Sequence, residues 1–337
     1  MQELEEFGLD EGEALGRLET LWSAYEKISA EAARYDGSLG WKTNAGLDYL
    51  VHTVNLRYEG NRQRTRSLGP RSEETERRMA EFREGRDRSR ERLARVQERL
   101  EIHGRVLKVL RLGRLSSLTA RFLRELHAEG FGAGHFRIGG GAALAAYGVR
   151  ARIRMPTVGS EDEPDFDLLP TELFVRDQRL FDAVASRKIF GPVEPDGDRL
   201  VLGRGIVLRM LSEDVLGGWV RHMSRAGVGV DEINALRWAV EVPEAVPLLA
   251  VGRDGSPAPV AALDPRAFAV LAAVEARHVA DDPTAARLAE QAAAVAGVAA
   301  DIVSEPFERG HLALFPEIAD AVGEGGLHAH DGIVMRP

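Results

Sequence analysis

Residues 73 to about 112 carry apolar side chains at alternating three- and four-residue steps, a spacing that forms one continuous stripe along a long helix. The positions on this stripe are Met79, Phe82, Leu93, Val96, Leu100, His103, Leu107 and Leu110. Arg86 and Ser89 interrupt it in the middle, and Gly85 and Gly104 lower the helix propensity. The pattern predicts a coiled-coil hairpin arm, a homodimer seam through residues 79–112, or a surface that packs against the chain's own N-terminal helix.

This helical region is basic although the chain as a whole is acidic. The net charge is −9, yet residues 61–115 contain 17 Arg or Lys and 9 Asp or Glu, which gives +8 and leaves −17 for the remainder. Almost all of the basic residues are arginines, which favour bidentate contact with phosphate or carboxylate. Because glutamates are interleaved with them, a solvated helix with internal ion pairs is the alternative to contact with RNA.

Composition excludes several functional classes. There are no cysteines among the 337 residues, so disulfides, thiolate metal sites and cysteine nucleophiles are ruled out. No apolar run approaches the roughly 18 residues of a membrane-spanning helix, so no membrane partner is expected. The first residues are acidic and lack an apolar signal core, which favours the cytoplasm.

The order of patterns predicts an α+β chain with three regions. Residues 1–130 form an N-terminal module, with a helix over 11–34, a small β-hairpin or meander over 39–68, the long helix and a short helix over 115–130. Residues 131–230 mix short strands and helices, including a hairpin over 198–212. Residues 231–337 are mainly helical, and the tail from 305 is expected to be mostly irregular.

A glycine run opens the middle region. The segment FRIGGGAALAAYG places Gly139, Gly140 and Gly141 between a short strand and an alanine-rich helix. Glycines there let backbone N–H groups approach a ligand, and the helix N-terminus adds partial positive charge, an arrangement that suits a triphosphate. Glycines at such turns are also common for steric reasons alone.

Two aspartates follow this helix in the segment EPDFDLLPT. In a strand, Asp165 and Asp167 point to the same face, where two carboxylates repel each other unless a cation lies between them. They form either a solvated strand edge or a metal site. Following a glycine turn, with one helix between, they favour a Mg²⁺ site that serves bound phosphates.

The order strand, glycine turn, helix, strand and Asp-x-Asp resembles the polymerase-β-type nucleotidyltransferase superfamily. The resemblance is closest to a bacterial nucleotidyltransferase-like group with an SLGPRS-containing N-terminal module. The segments that carry it are WKT (41–43), YL (49–50), SLGPRSEETE (67–76), LRLGRL (110–115), GGGAALAAY (139–147), DFDLL (165–169) and DGSPAPVAALDPRAFAV (254–270).

The resemblance implies a nucleotidyltransferase fold, a mixed sheet backed by helices. It implies that the Gly139–Gly141 turn seats the triphosphate of a nucleoside triphosphate (NTP) and that Asp165 and Asp167 bind Mg²⁺. An acceptor group would attack the α-phosphorus and pyrophosphate would leave. The acceptor, whether RNA, a protein or a small molecule, is not identified by the sequence.

One departure from the superfamily pattern concerns a third carboxylate, which is expected on a following strand. That strand, GIVLRMLS, carries Arg209 instead, as a catalytic-site residue that either pairs with an aspartate or binds phosphate. The nearest acids are Asp196, Asp198, Glu213 and Asp214. The alternative function is therefore a degenerate nucleotide- or phosphate-binding pseudoenzyme that acts as an interaction module and contacts RNA through the arginine-rich arm.

Overall fold

The computed structural model divides the chain into two compact units. One unit contains residues 16–105, and the other contains residues 1–15 together with 106–337. The structure describes residues 4–56, 62–156, 171–186, 193–196, 199–202, 205–211, 213–280 and 282–328. No helix within these ranges is long and apolar enough to cross a membrane.

The smaller unit combines two long helices with a three-stranded antiparallel sheet. Helix α1 (Leu9–Ala33), strands β1 (Ser38–Asn44), β2 (Leu47–Leu56) and β3 (Arg62–Pro70), and helix α2 (Glu73–Val109) follow one another along the chain. Ala45 and Gly46 join the first two strands with φ angles of 49° and 79°, the two left-handed residues that a type I′ hairpin turn requires. The predicted small β-meander is confirmed.

Several positions of the apolar stripe of α2, and several apolar residues of α1, are buried. Buried positions include Met79, Ser89, Val96, Leu100 and His103 on α2, and Leu18, Leu21 and Trp22 on α1. Near the end of α1, Glu31 forms an ion pair of 2.5 Å with Arg92 of α2. A coiled-coil arm, packing against the N-terminal helix and a homodimer through residues 79–112 all stay predictions for the stripe.

Gly85 of α2 makes room for an aromatic ring. A Cβ atom at this position would lie 2.3 Å from Cε1 and Cζ of Tyr35, far inside normal contact distance. The Tyr35 ring also packs edge-on against Phe82, with 5.8 Å between ring centroids. The absence of a side chain at Gly85 thus lets the turn after α1 pack against α2. The sequence indicated only that Gly85 lowers the helix propensity, not that it makes this contact possible.

The larger unit is built on a mixed sheet. Its strands are β4 (Phe136–Gly139), β5 (Thr171–Val175), β6 (Val193–Asp196), β7 (Arg199–Leu202), β8 (Ile206–Met210), β9 (Val246–Val251) and β10 (Pro257–Ala262). They form a seven-stranded sheet in the order β6-β7-β8-β5-β4-β10-β9. Strand β4 is antiparallel to β5 and parallel to β10, and β5 is parallel to β8. The α+β prediction is confirmed, and so is the hairpin over 198–212, which is formed by β7 and β8.

Helices pack around this sheet, with α4 the most deeply enclosed. They are α3 (Ser117–Ala128), α4 (Gly140–Ala151), α5 (Gln178–Ser186), α6 (Glu213–Arg225), α7 (Val230–Glu241), α8 (Pro265–His278), α9 (Asp282–Ile302), α10 (Arg309–Leu314) and α11 (Pro316–His328). Every residue of α4 from Gly141 to Val149 is buried. Small side chains let neighbouring elements approach α4 from all sides, which explains why this helix is rich in alanine and glycine.

The C-terminal region differs from the expectation in two ways. Strand β10 pairs with β4 and strand β9 pairs with β10, so residues 231–337 share one sheet and one core with residues 131–230. The tail after 305, expected to be mostly irregular, contains α10 and α11, in which Ile318 and Ala321 are buried. Packing of α11 against α9 stabilises a glycine-containing segment whose intrinsic helix propensity is low.

The N-terminal boundary is also placed differently by the structure. Residues 106–130 belong with the larger unit, because α3 packs against β10 of its sheet. The smaller unit therefore ends within α2, whereas the sequence suggested a module that continues to residue 130.

Candidate functional site

The glycine turn lies where β4 ends and α4 begins. Gly139 is extended, and Gly140 has a φ of 65°, in the left-handed region. A Cβ atom at Gly139 would come within 3.2 Å of side-chain atoms of Leu263 and Phe174. At Gly140 a Cβ atom would carry the strain of left-handed backbone. Left-handed backbone therefore favours glycine at 140, whereas a side chain at 139 would require Leu263 and Phe174 to shift slightly, and Gly141 follows in the buried first turn of α4.

The N-terminus of α4 has no side-chain cap, because its N-cap residue is Gly139. The first N–H groups of a helix have no intrahelical partner and carry partial positive charge, so an uncapped end suits an anion such as phosphate.

Thr171 lies directly beside this helix start. As the first residue of β5, it pairs with Gly140 in an isolated antiparallel bridge. Its side chain is fully buried, and its hydroxyl oxygen has no hydrogen-bond partner within the described ranges. A buried hydroxyl without a partner is destabilising, so an acceptor atom of a ligand at this turn would relieve that cost.

Charged side chains line one face of the sheet next to the turn. The strand register pairs Gly139 with Glu172 and Phe174 with Arg209. Paired residues point to the same side of a sheet, and so do residues two apart on one strand. Gly139, Glu172, Phe174 and Arg209 therefore lie on one face. Nη2 of Arg209 lies 3.8 Å from Oε1 of Glu172, and both side chains are partly exposed, so the pair lines an accessible surface.

Arg209 lies on the strand beside β5, where the resemblance placed a third carboxylate. The predicted metal ligands Asp165 and Asp167 lie outside the described residues, so contact between them and Arg209 stays a prediction. Among the residues that the structure describes, no group of three or more His, Asp or Glu side chains is arranged to hold a metal ion. The carboxylate that Arg209 does contact is Glu172.

Glu275, in the third turn of α8, has an exposed side chain that responds to the charges of Glu172 and Arg209. Partial burial and the nearby negative charge of Glu172 raise its pKa to about 7, against a smaller opposing effect of Arg209. The register also places Arg137 and Arg199 on this face, as the partners of Phe174 and Arg209, so the described part of the face carries more than one guanidinium.

The DPRAF motif at the start of α8 has a structural role. Asp264 caps the helix by accepting a hydrogen bond from the backbone N–H of Arg266 at 2.8 Å. The Arg266 guanidinium returns a bidentate pair to the same carboxylate, with contacts of 2.9 and 2.6 Å. The Tyr147 hydroxyl of α4 donates to the backbone oxygen of Leu263 at 2.6 Å, which ties α4 to the start of α8.

The motifs WKT and SLGPRS meet at one corner of the smaller unit. The Arg71 guanidinium lies 5.2 Å from the ring centroid of Trp41. Its Nε donates to Glu76 at 2.8 Å, and its backbone N–H donates to the carbonyl oxygen of Asp48 at 2.7 Å. These contacts fix the passage from β3 into α2, so the most distinctive residues of the N-terminal module serve packing in this unit.

Several candidate acids have no described side chains. They are Asp196, Asp198, Glu213 and Asp214, which the sequence offered as replacements for the third carboxylate. Sequence reasoning missed Thr171, Glu172 and Glu275. The sequence signal for Glu172 was its position five residues after Asp167, close to the predicted metal ligands. Glu275 gave none, because its electrostatic coupling to Glu172 arises only in the tertiary fold.

A mixed sheet with an uncapped glycine turn at a helix start, next to charged residues on one face, defines an α+β protein with a helix end of the kind that suits anions. A family model described as nucleotidyltransferase matches residues 117–311, more than half of the chain, and the chain belongs to this nucleotidyltransferase family. The match does not extend to the SLGPRS module. Comparisons with curated proteins and with solved structures return no match.

Proposed function

We propose that the protein binds a nucleoside triphosphate with Mg²⁺ at the Gly139–Gly141 turn and transfers its nucleotidyl group to an acceptor. The observation that carries the proposal is the uncapped start of α4 beside the buried, unpartnered hydroxyl of Thr171. Family membership supports the reaction class. RNA, a protein and a small molecule remain open as acceptors.

In this proposal the chain's own groups bind and orient the triphosphate. The N–H groups of the first turn of α4 and the Thr171 hydroxyl donate to phosphate oxygens, in the manner of helix-start anion sites. Asp165 and Asp167 supply carboxylate oxygens, the donor type that Mg²⁺ prefers, and would hold it. When bound, Mg²⁺ would neutralise phosphate charge. Positioning and charge neutralisation are the main contributions a protein makes to transfer at phosphorus.

Calorimetric titration with ATP, GTP, CTP and UTP, each with and without Mg²⁺, tests the site. Replacing Asp165 and Asp167 together by asparagine should abolish metal-dependent binding, because amides carry no negative charge. A double variant that binds NTP and Mg²⁺ as well as the parent would show that these aspartates are not the metal ligands.

A second variant tests the turn itself. Gly140→Ala should weaken NTP binding by up to about tenfold, because a Cβ atom costs about 1–2 kcal/mol in left-handed backbone and the free turn would relax to a conformation whose N–H groups no longer point at the phosphate. Gly134→Ala is the matched control, since a Cβ atom there meets open space and its φ is not left-handed. Equal NTP affinities for the two variants would move the phosphate site away from this turn.

A pseudoenzyme that binds nucleotide without transferring it is the second candidate. The ion pair of Arg209 with Glu172 favours it, because a guanidinium stands on the strand where the superfamily has an acid. Binding of NTP without pyrophosphate release under any condition would identify this case.

Contact of the smaller unit with RNA belongs to the same alternative. Four arginines of α2 are engaged in ion pairs four residues apart, Arg77–Glu81, Arg78–Glu74, Arg88–Glu84 and Arg95–Glu91. Such exposed pairs are weak and exchange readily with phosphate. If the helix contacts RNA, affinity for single-stranded RNA should fall steeply with salt, and a flat response would leave only the solvated helix.

A further inference from the structure

We infer that the smaller unit binds the phosphate backbone of a single-stranded nucleic acid in a groove between strand β3 and helix α2. Four arginines border this groove, Arg64 and Arg66 on β3 and Arg83 and Arg90 on α2, and all of them belong to the smaller unit. The groove gives a site to the RNA contact of the alternative function, and binding there does not depend on NTP at the larger unit.

Arg64 and Arg66 point to the side of the small sheet on which α2 lies. They are two residues apart on β3, so they share one face, and Arg66 is the register partner of His52 on β2. The His52 ring packs edge-on against Phe82 of α2, with 5.9 Å between ring centroids. The face that carries His52, and with it both arginines, is therefore turned toward α2.

Helix α2 runs back along β3 in the opposite direction. At its start, the Thr75 hydroxyl donates to the carbonyl oxygen of Pro70, the last residue of β3, at 3.1 Å. About two turns later, Phe82 reaches the level of His52 and hence of Arg66. The helical segment that begins at Phe82 therefore lies level with the arginines of the strand.

Arg83 and Arg90 lie on the flank of α2 that is turned toward the β3 side. The other flank is marked by Gly85, which lies against the Tyr35 ring, and by Arg92, which pairs with α1. At 3.6 residues per turn, Arg83 and Arg90 are roughly 140–180° around the helix axis from these two positions. Since Tyr35 leads into β1, and β3 is at the opposite edge of the sheet, the flank with Arg83 and Arg90 is on the side of β3.

The charge of this groove is not compensated by neighbouring carboxylates. All four arginines are exposed, and none has an ion-pair partner among the residues that the structure describes. The ion-paired arginines elsewhere on α2 each keep a glutamate beside them, which repels phosphate and limits the net gain of a contact. Phosphate contacts should therefore concentrate at the groove.

The chemistry of the groove favours a nucleic acid strand over an acidic peptide. A guanidinium presents a planar fork of N–H donors that matches two oxygens of one phosphate. Single-strand sites combine such a basic groove with aromatic rings on which bases stack, and an acidic peptide has no bases to stack. His52 and Phe82 are partly exposed where α2 meets the sheet and supply such rings.

Fluorescence anisotropy of the full chain, without NTP and at several salt concentrations, tests the groove. The probe is a labelled uridine strand of about 20 nucleotides, longer than the roughly 4–16 nucleotides that one single-strand domain covers. A deoxythymidine strand of the same length is the second probe, because RNA and DNA share the phosphate backbone. Polyglutamate is the competitor that represents an acidic peptide.

Two separate double variants remove one border of the groove each. Arg64→Gln with Arg66→Gln, and Arg83→Gln with Arg90→Gln, should each weaken binding of a strand about 25-fold at ~0.1 M salt, since one phosphate contact contributes about fivefold there. In each variant, the slope of log affinity against log salt concentration should become shallower by about 1.4. Circular dichroism verifies that each variant folds, and each pair tests the groove by itself.

The matched control is Arg77→Gln with Arg88→Gln, which removes two ion-paired arginines from the same helix. It removes the same charge as each groove variant and should leave the affinity and the salt slope nearly unchanged. Equal losses in the control and in the groove variants would show that binding follows the overall charge of α2, and would overturn the inference.

Two further outcomes would also overturn it. One is a wild-type chain that binds neither strand at low salt. The other is displacement of the strand by polyglutamate at an equal concentration of negative charge, which would identify an acidic peptide as the partner. A chain that binds a strand through the groove but binds no NTP supports this inference and overturns the proposed function, so the two fail separately.

Discussion

Replacing Gly85 by alanine should destabilise the smaller unit by about 2 kcal/mol. The new Cβ atom would lie 2.3 Å from Cε1 and Cζ of Tyr35 and 2.5 Å from its hydroxyl oxygen. Carbon atoms pack at about 3.5–4.0 Å, so the ring would have to recede by roughly 1.5 Å and disturb its contact with Phe82. Overpacking of this kind costs up to about 3 kcal/mol, and the better helix propensity of alanine offsets about 1 kcal/mol.

Urea unfolding of the full chain, followed by far-ultraviolet circular dichroism, measures this cost. Gly12→Ala in α1 is the control, because a Cβ atom there meets nothing within 4 Å, and this variant should gain about 0.5–1 kcal/mol. A double-mutant cycle with Tyr35→Ala isolates the clash, since the penalty of Gly85→Ala should disappear when the ring is removed. The reasoning is refuted if Gly85→Ala stabilises as the control does, or if its cost is the same with and without Tyr35.

Three further substitutions probe the larger unit. Arg209→Asp should tighten Mg²⁺ binding in calorimetry, because it removes a competing cation, and weaker binding would make Arg209 a ligand-binding group. Asp264→Ala should lower the free energy of unfolding, measured with urea, by about 3 kcal/mol, because α8 loses its cap and the mostly buried Arg266 loses its partner. Asp264→Asn should lower it by less. Burial lowers the pKa of His311 in the folded chain, so the unfolded chain binds more protons at acidic pH. The free energy of unfolding should therefore decrease as the pH drops below about 6.5. In His311→Gln, the melting temperature should decrease less over the same pH range than in the wild-type protein.

The sequence predicted those helices and strands whose periodic pattern lies within a single segment. The stripe on α2, the strand signal before the SLGPRS motif and the hairpin over 198–212 each contain enough information within one segment to specify an element. The glycine turn was also predicted, because left-handed backbone and close approach both demand glycine within three consecutive residues. The α+β class follows from the order of these elements.

Other features depend on contacts between distant segments. Nothing within residues 246–262 indicates that β10 pairs with β4 more than a hundred residues earlier, so the C-terminal region was predicted as mainly helical. Helix α11 is stabilised by burial of Ile318 and Ala321, which a glycine-rich tail does not reveal. For the same reason the sequence placed an acid near Arg209 only among its chain neighbours, whereas the structure supplies Glu172 from another strand.

The parallel pairing of β4 with β10 has an electrostatic consequence. It places the positive ends of two helix dipoles, those of α4 and α8, along one edge of the sheet. The α8 end is neutralised by the carboxylate of its own Asp264, while the α4 end, which begins at glycines, keeps its charge. Of these two helix ends, only that of α4 therefore lacks a carboxylate in its own cap to offset the partial positive charge.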